Sequence, residues 1–224
     1  MKTILTSAIG ALLLCSALAL ESCKKKDDVA PLTKNIQRLV PQNVIDTLRI
    51  LGMDIIETGK PVQITGIYEM KSPILIGSNL ANDKLGKVYR STNVQFLDQN
   101  DNDQSIKLNF KSGAETGSGI GGFIAGSGNR FTAFFETKAQ EGSATSTSAE
   151  VYSGEWTANG IKDLKSAFYI KDKKDPDNIL VKVCTVRVFK DGDGLSPKIA
   201  ALRLSAENEE LTTTADLWRG GRRR

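Results

Sequence analysis

The chain has 224 residues, 40% hydrophobic and 25% charged, which suits one globular domain and excludes a bundle of membrane helices. It contains no histidine, which excludes histidine-dependent nucleophilic triads and most zinc and haem sites. The formal net charge of +4 is matched by the four arginines within residues 219–224, and the two signs are interspersed elsewhere, so we expect no nucleic-acid partner.

The first 22 residues have the plan of a signal peptide. Lys2 gives a positive start, and residues 4–20 are almost entirely apolar or small. The most apolar part, residues 9–20, is shorter than the ~20 apolar residues that a spanning helix needs. We therefore predict a cleaved signal over residues 1–22. An ordinary secretory signal cut after Ala19 is the alternative.

Residues 20–23, Leu-Glu-Ser-Cys, resemble the lipobox of bacterial lipoprotein precursors. The resemblance implies that Cys23 becomes the first residue and carries a thioether-linked diacylglycerol, although Glu21 departs from the small residue usual there. Residues 24–28, Lys-Lys-Lys-Asp-Asp, are similar to the surface-export signal of Bacteroidota lipoproteins. Together these resemblances imply an outer-membrane lipoprotein displayed at the cell surface, or facing the periplasm if the charges only solvate a linker.

The segment after the lipobox is predicted to be a tether followed by one helix. Residues 23–34 contain Pro31 and no periodic pattern, so we interpret them as the lipidated cysteine and its tether. Pro41 suits the first turn of a helix, and Gly52 is typical of the end of one. Between them four apolar residues recur at the spacing of one helix face: Val44, Ile45, Leu48 and Leu51.

From residue 62 the apolar pattern changes to the alternation of half-buried strands. About eight strands are predicted, over residues 62–70, 88–97, 106–110, 120–125, 131–135, 149–156, 165–170 and 179–183. Short polar turns separate them, at residues 98–103, 126–129, 175–178 and 191–194, and such connections join antiparallel neighbours. The predicted fold is therefore all-β, an antiparallel meander forming a β-barrel or a two-layer β-sandwich behind one amphipathic helix.

The predicted domain of helix and strands covers residues 35–195. Residues 196–224 fit it poorly, so we expect a C-terminal appendage with a loosely patterned helix over residues 199–211. The arginines that end the chain are also compatible with a basic tail at an anionic membrane surface.

Gly66, Ile67 and Tyr68 form a Gly-x-aromatic sequence on the first strand after a short helix, which is similar to the opening of lipocalins. Lipocalins usually carry Trp where Tyr68 stands and pair it with a late basic residue, for which Arg187 is the candidate. The resemblance implies a barrel around a pocket. Core packing of Tyr68 is the alternative interpretation.

Two short motifs look like ligand sites without the context that those sites require. Residues 117–122 satisfy G-x-G-x-x-G, but a strand pattern follows where a phosphate site needs a helix, so a glycine-rich hairpin or bulge is predicted. Residues 98–103 resemble a calcium loop but lack glycine at the sixth position, and Asn109 replaces the bidentate Glu. They predict a solvated hairpin turn.

Without histidine, an enzyme of this kind would most easily use paired carboxylates, as in glycan hydrolysis. Glu69, Glu136 and Glu155 are the candidates, since all three lie on predicted strands. Because alternation places such residues on the solvent face by default, we predict no catalytic residues.

Trp156 and Tyr152 are candidate ligand-stacking residues, together with Phe134 and Tyr169, and packing in the core is the alternative. Cys184 has no predicted disulfide partner, and neither a metal nor a cofactor is expected. The sequence thus predicts a lipid-anchored, non-catalytic binding or interaction domain, with a glycan, a small hydrophobic ligand or a surface protein as partner. A carboxylate-dependent glycan hydrolase and an accessory subunit of a surface complex are the alternatives.

Overall fold

The computed structural model describes residues 31–202, and predictions about residues 1–30 and 203–224, lipidation of Cys23 among them, lie outside this range. The predicted all-β fold is confirmed. Two helices, α1 (Pro31–Leu39) and α2 (Gln42–Ile50), precede ten strand segments. These are β1 (Gly66–Met70), β2 (Ile74–Ser78), β3 (Thr92–Asn100), β4 (Ser105–Ser112), β5 (Glu115–Ser127), β6 (Arg130–Glu141), β7 (Ala144–Thr157), β8 (Gly160–Lys174), β9 (Val186–Lys190) and β10 (Leu195–Ile199).

The strands form a closed antiparallel ring. Pairing runs from β1 through β3, β4, β5, β6, β7 and β8, and β10 closes the ring because it pairs with both β8 and β1. β9 also pairs with β8, and β2 pairs with β9. β1 and β2 are therefore two halves of one interrupted strand, as are β9 and β10. The result is an up-and-down barrel of eight consecutive strands.

Asp191 holds together the two interruptions in the ring. Its buried carboxylate accepts hydrogen bonds from the backbone amides of Lys71 at 3.2 Å, Asp193 at 3.0 Å and Gly194 at 3.2 Å, and from the Ser196 hydroxyl. The Gly192 amide also donates to the Lys71 carbonyl at 2.9 Å. A Cβ atom on Gly192 would lie 2.6 Å from the Ser72 carbonyl oxygen, so this close approach requires glycine.

The inside of the barrel is filled by a hydrophobic core. Its largest fully buried side chains are aromatic: Tyr68, Phe96, Phe131 and Phe135. Glycine on β5 leaves room for these rings, since a Cβ atom on Gly122 would lie 2.4 Å from the ring of Phe135. The barrel interior is therefore a packed core over much of its length.

The helices cover part of the outside of the barrel. Val44, Ile45 and Leu48 of α2 are buried, as the predicted apolar stripe requires. They join a second core cluster with Phe134 and Val151, whose side chains point outward from β6 and β7. The sheet is consequently buried on both faces beneath the helices. Neither helix within residues 31–202 is long and apolar enough to cross a bilayer.

Several predicted boundaries need correction. Pro31–Leu39 is a helix, whereas residues 31–34 were predicted to belong to the tether. β10 includes Ser196, so the appendage predicted to begin there contributes the strand that closes the barrel. Residues 191–194 were predicted to be a turn between neighbouring strands. They lie instead between β9 and β10, the two halves of one interrupted strand. β2, β9 and β10 were not predicted.

The strand predicted over residues 179–183 is a loop. The carboxylate of Asp175 accepts hydrogen bonds from the amides of Ile179 and Leu180, each at 2.9 Å, so neither amide donates to a strand ladder. The strand that follows this loop is β9. In contrast, the predicted glycine-rich bulge is confirmed, since the register of β5 against β6 shifts between Gly119 and Gly121.

Candidate functional site

The structure contains two candidate sites, one inside the barrel and one on its outer surface. The inner one arises because the inward face of β7 is polar. Four buried side chains share that face: Ser146, Ser148, Glu150 and Tyr152. Ala149 and Val151, which alternate with them, point outward and pack in the core beneath the helices.

Glu150 is the centre of the inner site. The Tyr152 hydroxyl donates a hydrogen bond to Glu150 Oε2 at 2.6 Å, and the Thr137 hydroxyl donates to Oε1 at 3.1 Å. Burial raises the pKa of Glu150 to about 7, and these two hydrogen bonds oppose the rise. Burial and the neighbouring Glu150 raise the pKa of Tyr152 above its ordinary value. At acidic pH the site is therefore a neutral hydrogen-bonded pair.

The cavity beside Glu150 is small. Its volume is about 40 Å³, and Glu115, Tyr152, Ser166 and Phe168 are among the residues that line it with Glu150. Small-molecule sites in proteins occupy roughly 300–1,000 Å³, whereas about 10–15 Å³ of such volume is enough for one water molecule. The inner site therefore has room for molecules of the size of water only.

The three carboxylates considered for hydrolysis do not come together. Glu136 lies on the outer face, where its Oε2 accepts from Lys171 Nζ at 2.9 Å. Glu136 pairs with Ala149 across the strands, and Glu155 lies six positions further along β7. At ~3.3 Å per residue this places their backbones about 20 Å apart. Glu69 alternates with buried Tyr68 and Met70 on β1, so it faces outward.

Glu115 and Glu150, the carboxylates that do lie inside, were not predicted. The sequence around Glu150 alternates between apolar and polar residues, and the apolar members, Ala149 and Val151, look like the inward face. They are instead the face covered by the helices. The sequence of β7 alone therefore does not indicate that Glu150 lies on the inner face.

Trp156 and Tyr152 occupy different surroundings on β7. The Tyr152 ring makes edge contacts with Phe96 and Phe135, at centroid distances of 5.6 and 6.1 Å. Trp156 is partly buried against the inner core. Both have packing roles, and ligand stacking by either stays a prediction.

Tyr68 and Arg187, the residues of the lipocalin resemblance, have separate partners. Tyr68 packs against Phe96 at a centroid distance of 6.1 Å. The buried Arg187 guanidinium donates to both carboxylate oxygens of Asp83 at 2.7 Å. Burial raises the pKa of Asp83, but the hydrogen bonds from Arg187 and Ser78 and the charges of Arg187 and Lys87 together lower it overall. The pair fixes the loop between β2 and β3 to the barrel.

The calcium-like segment, residues 98–103, comprises the end of β3 and most of the turn that joins it to β4. Asp98 on β3 pairs with Lys107 on β4, whose Nζ lies 2.8 Å from Asp98 Oδ2. Within residues 31–202, no group of three His, Cys, Asp or Glu side chains is placed to hold a metal ion. Cys184, the cysteine of this range, is exposed in a turn, and its Sγ lies 3.6 Å from the Tyr169 hydroxyl.

The second candidate site is a polar groove on the outer face of β5, β6, β7 and β8. Strand register aligns eight side chains there in two rows. The first row is Thr116, Gln140, Thr145 and Lys174, and the second is Ser118, Lys138, Thr147 and Asp172. Thr147 has the same orientation as Ala149, which packs against the helices, so both rows face outward.

The polar groove has the size of a ligand site. Its volume is about 670 Å³, and no aromatic side chain is among the residues that line it. All eight side chains of the two rows are exposed except Thr147, which is half-buried. Hydroxyl, amide, ammonium and carboxylate groups thus line an open surface depression, and such groups recognise polar ligands by hydrogen bonds.

Comparison with known proteins found no relative: no protein-family model, no curated protein and no solved structure matches the chain.

Glu150 should make the stability of the protein depend on pH. Its folded pKa of about 7 exceeds the ordinary 4.5, so between these values only the unfolded chain loses the proton, and stability falls as pH rises. The loss in the free energy of unfolding amounts to about 3 kcal/mol and is complete above pH 7. Glu150→Gln removes it, so we expect the variant to gain stability relative to the wild type between pH 5 and pH 8. Urea unfolding at both pH values measures this.

Glu155→Gln, the same change at a partly exposed position of β7, is the matched control and should keep the wild-type pH dependence. Equal pH dependence in the wild type and Glu150→Gln would contradict the buried, protonatable state of Glu150.

Proposed function

We propose that this protein is a lipid-anchored, non-catalytic binding protein of the outer membrane that holds a glycan in the polar groove. The observation that supports the proposal is the position of the groove. It lies at the end of the barrel that carries the β4–β5 and β6–β7 turns, whereas α1 begins at the opposite end.

The start of α1 defines the end from which an anchor would extend. Leu32 and Asn35 share a surface pocket with residues 102–104, the turn between β3 and β4. Residues 24–30 separate Cys23 from this helix, and seven extended residues span at most ~25 Å. A lipid on Cys23 would therefore hold this end of the barrel near the bilayer, and the polar groove would face away from the membrane.

The composition of the groove supports binding without catalysis. Glycan hydrolysis generally needs two carboxyl groups ~5–9 Å apart, one on each side of the bond. Asp172 is the one carboxylate among the residues that line the groove. The inner carboxylates adjoin a cavity of about 40 Å³, which excludes a sugar chain.

The packing also favours a polar ligand over a small hydrophobic one. The inside of the barrel is occupied by its own aromatic side chains, and the helices cover the apolar part of the outer face. The groove offers hydroxyl, amide and charged groups instead. A carbohydrate presents a matching array of hydroxyl donors and acceptors.

Lipidation can be tested by metabolic labelling with an alkyne analogue of palmitate. The wild-type chain should be labelled and Cys23→Ala should not, because the thioether requires that thiol. Cys184→Ala is the matched control and should be labelled like the wild type. Equal labelling of the wild type and Cys23→Ala would contradict the anchor.

Binding in the groove can be tested with an array of neutral and acidic oligosaccharides, using the detergent-solubilised mature protein. We expect a bound oligosaccharide that is recovered unchanged, and an affinity reduced at least tenfold by Thr147→Trp, because the indole ring fills the floor of the groove. Titration calorimetry measures the affinity.

Thr65→Trp, the same change at an exposed position near the start of β1, is the control and should bind normally. Undiminished binding by Thr147→Trp, or shortening of the bound oligosaccharide, would refute the proposal.

A further inference from the structure

The charges of the polar groove indicate the class of its ligand. Within residues 31–202, no carboxylate lies within ion-pair distance of Lys138 or Lys174. Neighbouring lysines are paired, Lys171 with Glu136 and Lys173 with Asp175, each at 2.9 Å. The groove thus has two ammonium groups without an internal partner, against the single carboxylate of Asp172.

The strand register determines how these two lysines are arranged. Lys138 is on β6 and Lys174 on β8, with Thr145 and Thr147 of β7 between them. Two strand spacings of ~4.8 Å and an offset of two residues give a Cα separation of about 12 Å. The two positive charges therefore lie apart, with hydroxyl groups on the floor between them.

We infer that the ligand of the polar groove is an acidic polysaccharide, a chain of sugars in which some carry a carboxylate. This inference rests on the proposed function and specifies its ligand. The ligand carboxylates contact Lys138 and Lys174, and the sugar hydroxyls bond with Thr145, Thr147 and Gln140. Both ammonium groups then gain the partner that they lack within the described part of the chain.

Features of the groove argue against other ligands. A neutral glycan would rely on stacking against aromatic rings, and no ring lines the groove. Single-stranded nucleic acid needs aromatic stacking as well. A densely charged polyanion such as polyphosphate is disfavoured because Asp172 lies in the same row as Lys138 and repels it.

Titration calorimetry with the detergent-solubilised mature protein tests the inference. The probes are oligogalacturonate and its fully methyl-esterified form, which share one sugar chain and differ in charge, together with oligoalginate, hyaluronate and polyphosphate. At least one acidic oligosaccharide should bind, and oligogalacturonate should bind at least tenfold more tightly than its ester. The Lys138→Gln/Lys174→Gln double variant should reduce this preference to less than twofold.

Lys162→Gln, at the other end of β8, is the matched control and should keep the preference. Failure of all three acidic oligosaccharides to bind overturns the inference. Polyphosphate binding also overturns it, if polyphosphate binds at least as tightly as the acidic oligosaccharides and the double variant weakens its binding equally. Equal binding of oligogalacturonate and its ester, lost in Thr147→Trp, overturns the inference and leaves the proposed function intact. If no oligosaccharide binds at all, the proposed function fails too.

Discussion

The closed barrel depends on the hydrogen bonds that the buried Asp191 carboxylate accepts. Eight strands close only if the first and the last pair along their lengths, and both are interrupted, at Lys71 and at Gly192. One buried carboxylate holds the two interruptions against each other. Because the ring is closed, none of its eight strands presents a free edge over its full length. A ligand therefore has no full-length strand edge along which to add a further strand.

Burial of the sheet on both faces determines where its polar side chains lie. The helices cover the apolar part of the outer face, and this allows β7 to place Ser148, Glu150 and Tyr152 inside. A buried carboxyl group is tolerated because two hydroxyl groups bond to it and because it can stay protonated. The polar groove lies beyond the cover of the helices, where the long strands β5 to β8 continue. The inner cluster thus belongs to the scaffold, and the groove is the surface available to a ligand.

Sequence patterns predicted the elements that depend on local chemistry. Pro41, Gly52 and the one-face spacing between them define α2, and alternation defines β3, β4 and β6. Residues 179–183 alternate equally well but form a loop, since Asp175 binds the amides there.

The candidate sites depend on long-range contacts and were missed for that reason. Glu150 points inward because the helices pack on the outer face of β7, where Ala149 and Val151 lie. The alternation of residues along β7 does not show which of its faces the helices cover. The two rows of the groove exist only through the register of four strands, and two bulges in the pairing of β7 with β8 shift that register. Nothing in the sequence around Lys138 or Lys174 indicates that the two residues lie near each other, because their proximity depends on how the strands pair.

Mapping of amide chemical shifts on addition of oligogalacturonate tests the central claim, that the ligand binds outside a filled barrel. The account predicts changes at Thr116, Ser118, Lys138 and Thr147, which line the groove, and none at Glu150 and Tyr152 inside. Changes centred on the inner pair, with the groove amides unaffected, would contradict it.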